Sequence, residues 1–224
     1  MSKKVSIIIP AYNEEGNILR VLDEVKKLNI DKEIIVVDDG STDKTAELLK
    51  KVKEIKFIRH KMNMGRGAAV RTGISAASGD ITYIQDADME QFPNDIPKLV
   101  KPIVDKEADV VYGNRLSNPI GMSFTHKIGN KIIAFVGMIL YRQKLMDVYT
   151  GSKCYKSNII KSFNLESDGF EQEAELLAKL SKNKVRIKEV DINYKYRSDG
   201  VSSMRIRDGL NGVFTMFKYF LKHK

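Results

Sequence analysis

The chain has 224 residues and a formal net charge of +9, with 42% hydrophobic and 30% charged residues. That length and balance suit a globular fold with a sizeable core and exclude a disordered or fibrous chain. The one cysteine, Cys154, excludes an internal disulfide and a cysteine-based zinc site, and agrees with a reducing compartment.

Val5-Ser-Ile-Ile-Ile9 reads as a buried strand, and Asn17 to Leu28 has helical spacing with Ile18, Leu19, Leu22, Val25 and Leu28 on one side. Glu33 to Val37 is a second buried strand, followed by a helix over Thr45 to Val52 behind the cap-forming residues Ser41, Thr42 and Asp43. Ile55 to Ile58 reads as a strand, Gly67 to Ala77 as a small-residue helix, and Ile81 to Ile84 as a strand. A helix over Ile96 to Val104 and a strand over Val110 to Tyr112 follow. The alternation, with nearly continuous Val/Ile strands, predicts an α/β fold with a mostly parallel sheet covered on both faces.

The pattern loosens after Asn114. Thr125 to Leu140 is expected to be a long apolar helix, Glu171 to Ser181 a helix, Val185 to Tyr194 strand-like, and Gly209 to Leu221 an amphipathic helix. Cys154 lies in a strand-like stretch and reads as a core residue. No repeat, low-complexity tract or linker appears, so residues 1–224 are read as one domain, in two parts, 1–114 and 115–224.

The opening Met1-Ser2-Lys3-Lys4 lacks a secretory signal, and the longest apolar run, Ile132 to Tyr141, is about half of the ~20 residues that span a bilayer. A cytoplasmic location is therefore expected. From Lys195 onward there are seven Lys/Arg against two Asp/Glu, more than half of the net charge, which suits an anionic partner near the C-terminus. No nucleic-acid motif accompanies that charge, so nucleic acid is not an expected partner.

In open parallel sheets, ligands bind beyond the carboxyl ends of the strands. Three strands here end in polar clusters: Pro10-Ala-Tyr-Asn-Glu-Glu15, Asp38-Asp-Gly-Ser-Thr-Asp43 and Gln85-Asp-Ala-Asp-Met-Glu90. One such loop is ordinary turn chemistry, but three at one sheet edge point to a site. Asp86 and Asp88 repel each other unless a cation or proton lies between them. With Glu90 they offer three oxygen ligands for Mg²⁺ or Mn²⁺, which would bridge a diphosphate and neutralise it as it leaves.

These loops, together with Asn63-Met-Gly-Arg-Gly-Ala-Ala69, resemble in order and spacing the family 2 glycosyltransferases of the GT-A fold. The resemblance implies a nucleotide-sugar site built from Pro10, Ala11, Tyr12, Glu14, Val37, Asp39, Arg66, Asp86, Ala87 and Asp88, with Pro10, Tyr12, Glu14 and Asp39 around the base and ribose. Arg66 stands where the family often has Lys, and Glu90 where mannosyltransferases often have Gln or Ser.

The later motifs look like the dolichyl-phosphate mannosyltransferase branch and its bacterial polyprenyl-phosphate relatives. These motifs are Tyr112-Gly-Asn-Arg115, Asp147-Val-Tyr-Thr-Gly-Ser-Lys-Cys-Tyr-Lys156 and Gly169-Phe-Glu-Gln-Glu173. The branch implies an inverting transfer of a hexose from a GDP- or UDP-sugar to a polyprenyl phosphate, with Asp88, Arg115 and Arg197 as catalytic residues. Arg115 and Arg197 would hold phosphate, and Ser203 occupies the place of a phosphate-binding Lys that Arg205 or Arg207 would replace. The enzyme is expected to act peripherally at the cytoplasmic membrane face, through the apolar run at 132–141 and the C-terminal helix, or through a small membrane-anchor subunit.

Two other readings stay open. A hydroxyl acceptor on a glycan or lipid needs a carboxylate base, for which Glu171 or Glu173 would serve. A non-catalytic nucleotide-sugar-binding subunit would not need Asp86, Asp88, Glu90 and Arg115 together. His126, Lys127 and Lys131 lie where the branch keeps basic groups near the acceptor, Asp147 and Lys153 read as an ion pair or as functional groups, and His60 carries no motif.

Overall fold

The computed structural model describes residues 3–117, 124–195 and 206–222, without the side chains of 124–127, 206–208 and 210. Its first part alternates strand and helix: β1 (Val5–Ala11), α1 (Ile18–Lys27), β2 (Lys32–Asp38), α2 (Thr45–Lys50), β3 (Lys56–Arg59), α3 (Arg66–Ala76), β4 (Ile81–Ile84), α4 (Ile96–Val104) and β5 (Val110–Asn114). There follow α5 (Phe124–Tyr141), β6 (Lys153–Lys156), α6 (Ser157–Ser162), α7 (Gln172–Lys182), β7 (Ile187–Asp191) and α8 (Ile206–Leu221).

The strands form one seven-stranded sheet in the order β3-β2-β1-β4-β6-β5-β7. Every neighbouring pair is parallel except the two made by β6, which is antiparallel to both β4 and β5. The nearly continuous apolar strands are explained by burial on both faces. In β1, Ile7 and Ile9 join the cluster under α1 and α4, while Ile8 joins the one under α3, α5, α7 and α8.

The strand order reverses beside β1: β2 and β3 lie on one side of it and β4 on the other. A doubly wound sheet leaves its ligand crevice at such a point. The loops after β1, β2 and β4 therefore meet, as their carboxylates predict.

Two expectations are revised. The N-cap position of α2 is Lys44, and of the three expected residues only Asp43 serves the helix start, its Oδ1 accepting the Thr45 N–H at 2.9 Å. All three knit the first two loops together: Ser41 Oγ accepts from the Asn13 N–H, Asp43 from the Glu15 N–H, and Asn13 Oδ1 from the Thr42 N–H. Asp147 and Lys153 do not pair with each other; each has a different buried partner, described below.

The second cluster closes the sheet with α5, α7 and α8. Tyr141 stacks edge-on against Phe220, and its hydroxyl donates to the Met216 carbonyl. Both α5 and α8 leave an apolar stripe in solvent: Ile128, Ile132, Phe135 and Ile139 on the first, Phe214, Phe217 and Leu221 on the second. Among the described residues no helix is long and apolar enough to cross a membrane.

Candidate active site

A cleft of about 270 Å³ opens at the reversal point, lined by Pro10, Ala11, Tyr12 and Glu14 from the first loop and Asp39 from the second. Asn63, Gly65, Arg66 and Ala69 line it from the start of α3, Asp86, Ala87 and Asp88 from the loop after β4, and Phe170 from the approach to α7.

One end of the cleft is built on Asp39, whose backbone N–H continues the β1 ladder by donating to the Ala11 carbonyl at 2.8 Å. Its carboxylate accepts the backbone N–H groups of Met64 (3.0 Å) and Gly65 (2.8 Å). Gly65 has φ +98°, and a Cβ there would sit 2.4 Å from the Asp168 carbonyl. Both facts require glycine, and they turn the chain so that its N–H meets Asp39. Tyr12, 43% exposed at the cleft mouth, offers an open aromatic face.

Beneath the middle of the cleft runs a chain of four charges. Arg66 donates to Asp86 Oδ1 through Nε (3.0 Å) and Nη2 (2.8 Å), and through Nη1 to Glu173 (2.7 Å). Glu173 also pairs with the fully buried Lys153. Burial penalises the Arg66 charge, but Asp86 and Glu173 outweigh that and hold its pKa above the ordinary value. For Lys153 burial wins, and its pKa is lowered despite Glu173. The other Asp86 oxygen lies so close to Gly151 that a Cβ there would fall 1.7 Å away.

Arg115, just past β5, is not among the residues that line the cleft. Its guanidinium grips buried Asp147 in a forked pair, Nε to Oδ2 at 2.7 Å and Nη2 to Oδ1 at 2.8 Å, and donates to the Tyr149 carbonyl. Burial again opposes its charge, and Asp147 overrides it, so its pKa is raised. Its outer face lies 5.6 Å from the Tyr194 ring centre, and the Tyr194 hydroxyl donates to Glu90 at 3.2 Å. Arg115 is thus joined to the acidic loop through Tyr194. It is also less free than its strand-end position predicts, since only 12% of its side chain is exposed.

In the acidic loop, Asp88 Oδ1 accepts the Glu90 N–H at 3.0 Å across Met89, which has φ +61°. A left-handed non-glycine residue carries a backbone cost. Among the described residues no three His, Cys, Asp or Glu side chains are already gathered as a metal cluster. Asp86 and Asp88 nevertheless both line the cleft, whereas Glu90 is engaged by Tyr194. Two carboxylates, completed by phosphate oxygens and water, are the protein share that Mg²⁺ takes in phosphate sites, so the donor set fits a hard divalent cation.

Most of the expected site residues thus come together. Val37 does not reach the cleft: it is fully buried and packs with Ile35 and Ala69. Arg197, Ser203 and Arg205 lie outside the described residues, as do the side chains of His126, Lys127 and Arg207, while Lys131 is exposed on α5. Sequence reasoning missed the supporting roles of Gly151 and Tyr194 and left His60 unassigned, while Lys153, weighed as a partner of Asp147 or as a functional group, pairs with Glu173. His60 directly follows β3, and that strand-end position is the signal that marks the other three loops.

The profile of glycosyl transferase family 2 matches residues 6–163. Over 218 residues the chain is 33% identical to the UDP-N-acetylglucosamine–dolichyl-phosphate N-acetylglucosaminyltransferase of Methanococcus voltae, covering 87% of this chain and 86% of that protein. It is 30% identical to the dolichol-phosphate mannosyltransferase of Pyrococcus furiosus, covering 96% of this chain and 64% of that one. The glucosyl-3-phosphoglycerate synthase of Mycobacterium tuberculosis, solved with Mn²⁺, UDP and glucosyl-3-phosphoglycerate, superposes with a TM-score of 0.79 at 20% identity over 97% of this chain and 80% of that one, which shows the shared fold. By its matched profile, its relatives and its reversal-point cleft, the chain belongs to the family 2 glycosyltransferases of the GT-A fold.

Proposed function

We propose that this glycosyltransferase moves a hexose from a nucleoside diphosphate sugar to a polyprenyl phosphate at the cytoplasmic face of a membrane, inverting the anomeric carbon. The base and ribose would lie along Pro10, Tyr12, Glu14 and Asp39, and the diphosphate beside Arg66 and Asp88, with Arg115, linked to the acidic loop through Tyr194, on its far side. Asp86 and Asp88 would hold Mg²⁺ or Mn²⁺, which supplies charge neutralisation for the departing diphosphate. A phosphate oxygen of the acceptor bonds to the anomeric carbon as the bond to the donor's β-phosphate oxygen breaks, and the electron pair leaves on the diphosphate.

One observation carries the choice of acceptor. A sugar hydroxyl needs a base to remove its proton, whereas a phosphate is already anionic near pH 7. Glu173, one of the two carboxylates named for such a base, is 3% exposed and clamped between Arg66 and Lys153. Glu171 turns back to accept the Gly169 N–H. Both carboxylates that a hydroxyl acceptor would call on are thus engaged with other partners, which suits a nucleophile that arrives ionised. The relatives from Methanococcus voltae and Pyrococcus furiosus, named for dolichyl or dolichol phosphate, support the same acceptor. The stripes on α5 and α8 suit peripheral contact with a bilayer where such a lipid resides.

The test is a panel of GDP- and UDP-hexoses with Mn²⁺ or Mg²⁺ and membrane lipid extract, with mass analysis of the lipid. A polyprenyl phosphate heavier by one hexose is expected, and Asp88→Asn should abolish it. Transfer to a water-soluble hydroxyl acceptor with none to lipid phosphate refutes the proposal.

A further inference from the structure

The geometry points to His60 as a positioning residue that aims the Asp39 carboxylate at the nucleoside of the donor. The inference rests on the reading above that Asp39 contacts that nucleoside. His60 lies just past β3, outside the cleft lining to which Asp39 belongs, and its backbone N–H donates to the Asp38 carbonyl at 2.9 Å. Its Nδ1 is 2.7 Å from Asp39 Oδ1, and its Nε2 is 2.9 Å from Thr72 Oγ1 on α3. The imidazole is 11% exposed and the carboxylate 4%, so the contact is sheltered from water.

The carboxylate has about four acceptor positions. On Oδ1, His60 and the Met64 N–H fill both. On Oδ2, the Gly65 N–H fills one, and among the described residues no donor takes the other. That remaining position belongs to a carboxylate lining the cleft, where a base N–H or ribose O–H would meet it. Because the carboxylate can only accept, Nδ1 carries a proton. Thr72, which can give or take a hydrogen bond, keeps Nε2 satisfied and fixes the ring plane. Without the imidazole, Asp39 can rotate about its Cβ–Cγ bond, and the aimed lone pair is lost.

The experiment is calorimetric titration of the full chain with UDP and GDP in the presence of Mn²⁺. His60→Leu should bind the preferred nucleotide about tenfold more weakly, the loss expected for one charge-assisted hydrogen bond out of several. Turnover at saturating donor should stay near the native value. His60→Asn, whose amide reaches the place of Nδ1, should recover most of the affinity, a rescue that a merely structural role does not predict. Thr72→Val should bind about threefold more weakly. Asp39→Ala separates the two readings. If it binds nucleotide normally, the nucleoside assignment fails and takes this inference with it. If it loses binding while His60→Leu keeps native affinity, the role of His60 is overturned and the assignment stands. Should His60→Leu fail to fold, native affinity in Thr72→Val overturns the inference.

Discussion

Replacing Gly151 with alanine tests whether the site depends on where Asp86 is held. The added methyl would fall 1.7 Å from Asp86 Oδ2, 2.5 Å from its Cγ and 2.8 Å from Gln91 Nε2. To restore ordinary contact the carboxylate must retreat by about 1.5 Å. It cannot do so and keep Arg66, whose nitrogens bind its other oxygen at 3.0 and 2.8 Å. Overpacking costs about 1–3 kcal/mol and a lost charged hydrogen bond about 1.5–3 kcal/mol. Allowing for partial relaxation, about 2–4 kcal/mol of stability should go, or roughly 5–15 °C in Tm. The catalytic loss should be larger, because a misplacement near 1 Å in a reacting constellation costs about 10²-fold. The assay compares donor turnover per folded molecule, well below the melting range, with the thermal midpoint. Gly16→Ala is the control, since nothing lies within 4 Å of its added methyl. A Gly151→Ala enzyme with native turnover per folded molecule refutes the claim that the position of Asp86 matters.

Other outcomes follow from the same contacts. Arg115→Ala strands the buried Asp147 carboxylate, so stability should fall by about 3–5 kcal/mol along with activity, and denaturant unfolding should show that Arg115→Ala/Asp147→Ala loses less than the two single losses added. Phe214→Ser/Phe217→Ser should leave Tm nearly unchanged, because the rings are 71% and 46% exposed, yet weaken co-sedimentation with anionic vesicles by about 1–2 kcal/mol per ring. Removing all of α8 is a poorer test, since that helix also buries Met216 and Tyr219 in the core. The pKa of Glu33 is set by burial, which raises it, and by the stronger effect of Ser6 and Ser78, which lowers it from 4.5 to about 2. Its stabilisation is therefore present above about pH 4.5 and fades as pH falls toward 2, about 1–2 kcal/mol after solvent screening. Glu33→Gln should flatten the drop in unfolding midpoint between neutral pH and about pH 3, and an unchanged drop would rule this out.

The sheet and the cleft were readable because local signals carried them. Runs such as Ile7-Ile-Ile9 and Ile34-Ile-Val-Val37 fit only strands buried on both faces, and the polar clusters after them fall where parallel strands end. Non-local pairings were not readable. The stretch around Cys154 reads as strand-like, but nothing in Lys153-Cys-Tyr-Lys156 marks it as the strand between β4 and β5, because burying Lys153 is tolerable only beside Glu173, 20 residues later. The partner of Arg115 lies 32 residues away and meets it only once β6 has been inserted beside β5. The constraint on Gly151 likewise depends on a carboxylate from another strand. His60 was overlooked because its neighbours Asp39 and Thr72 come from β2's end and α3, and no short motif spans the three.

The insertion of β6 between β4 and β5 has a consequence for how the chain is made. During synthesis from the N-terminus, β4 and β5 are complete by Asn114, yet neither can pair with the other, because the slot between them is reserved for Lys153–Lys156. A ribosome-bound chain of that length presents the open edge of β4 and a β5 with neither neighbour yet made, the kind of surface that recruits wrong partners. The charge chain under the cleft is also incomplete until Glu173 has been made. Long-range pairing of this sort slows folding. The enzyme's working cleft is therefore a late product of translation, finished only when the chain is more than three-quarters made, and a release before that point yields a sticky, inactive fragment rather than a smaller enzyme.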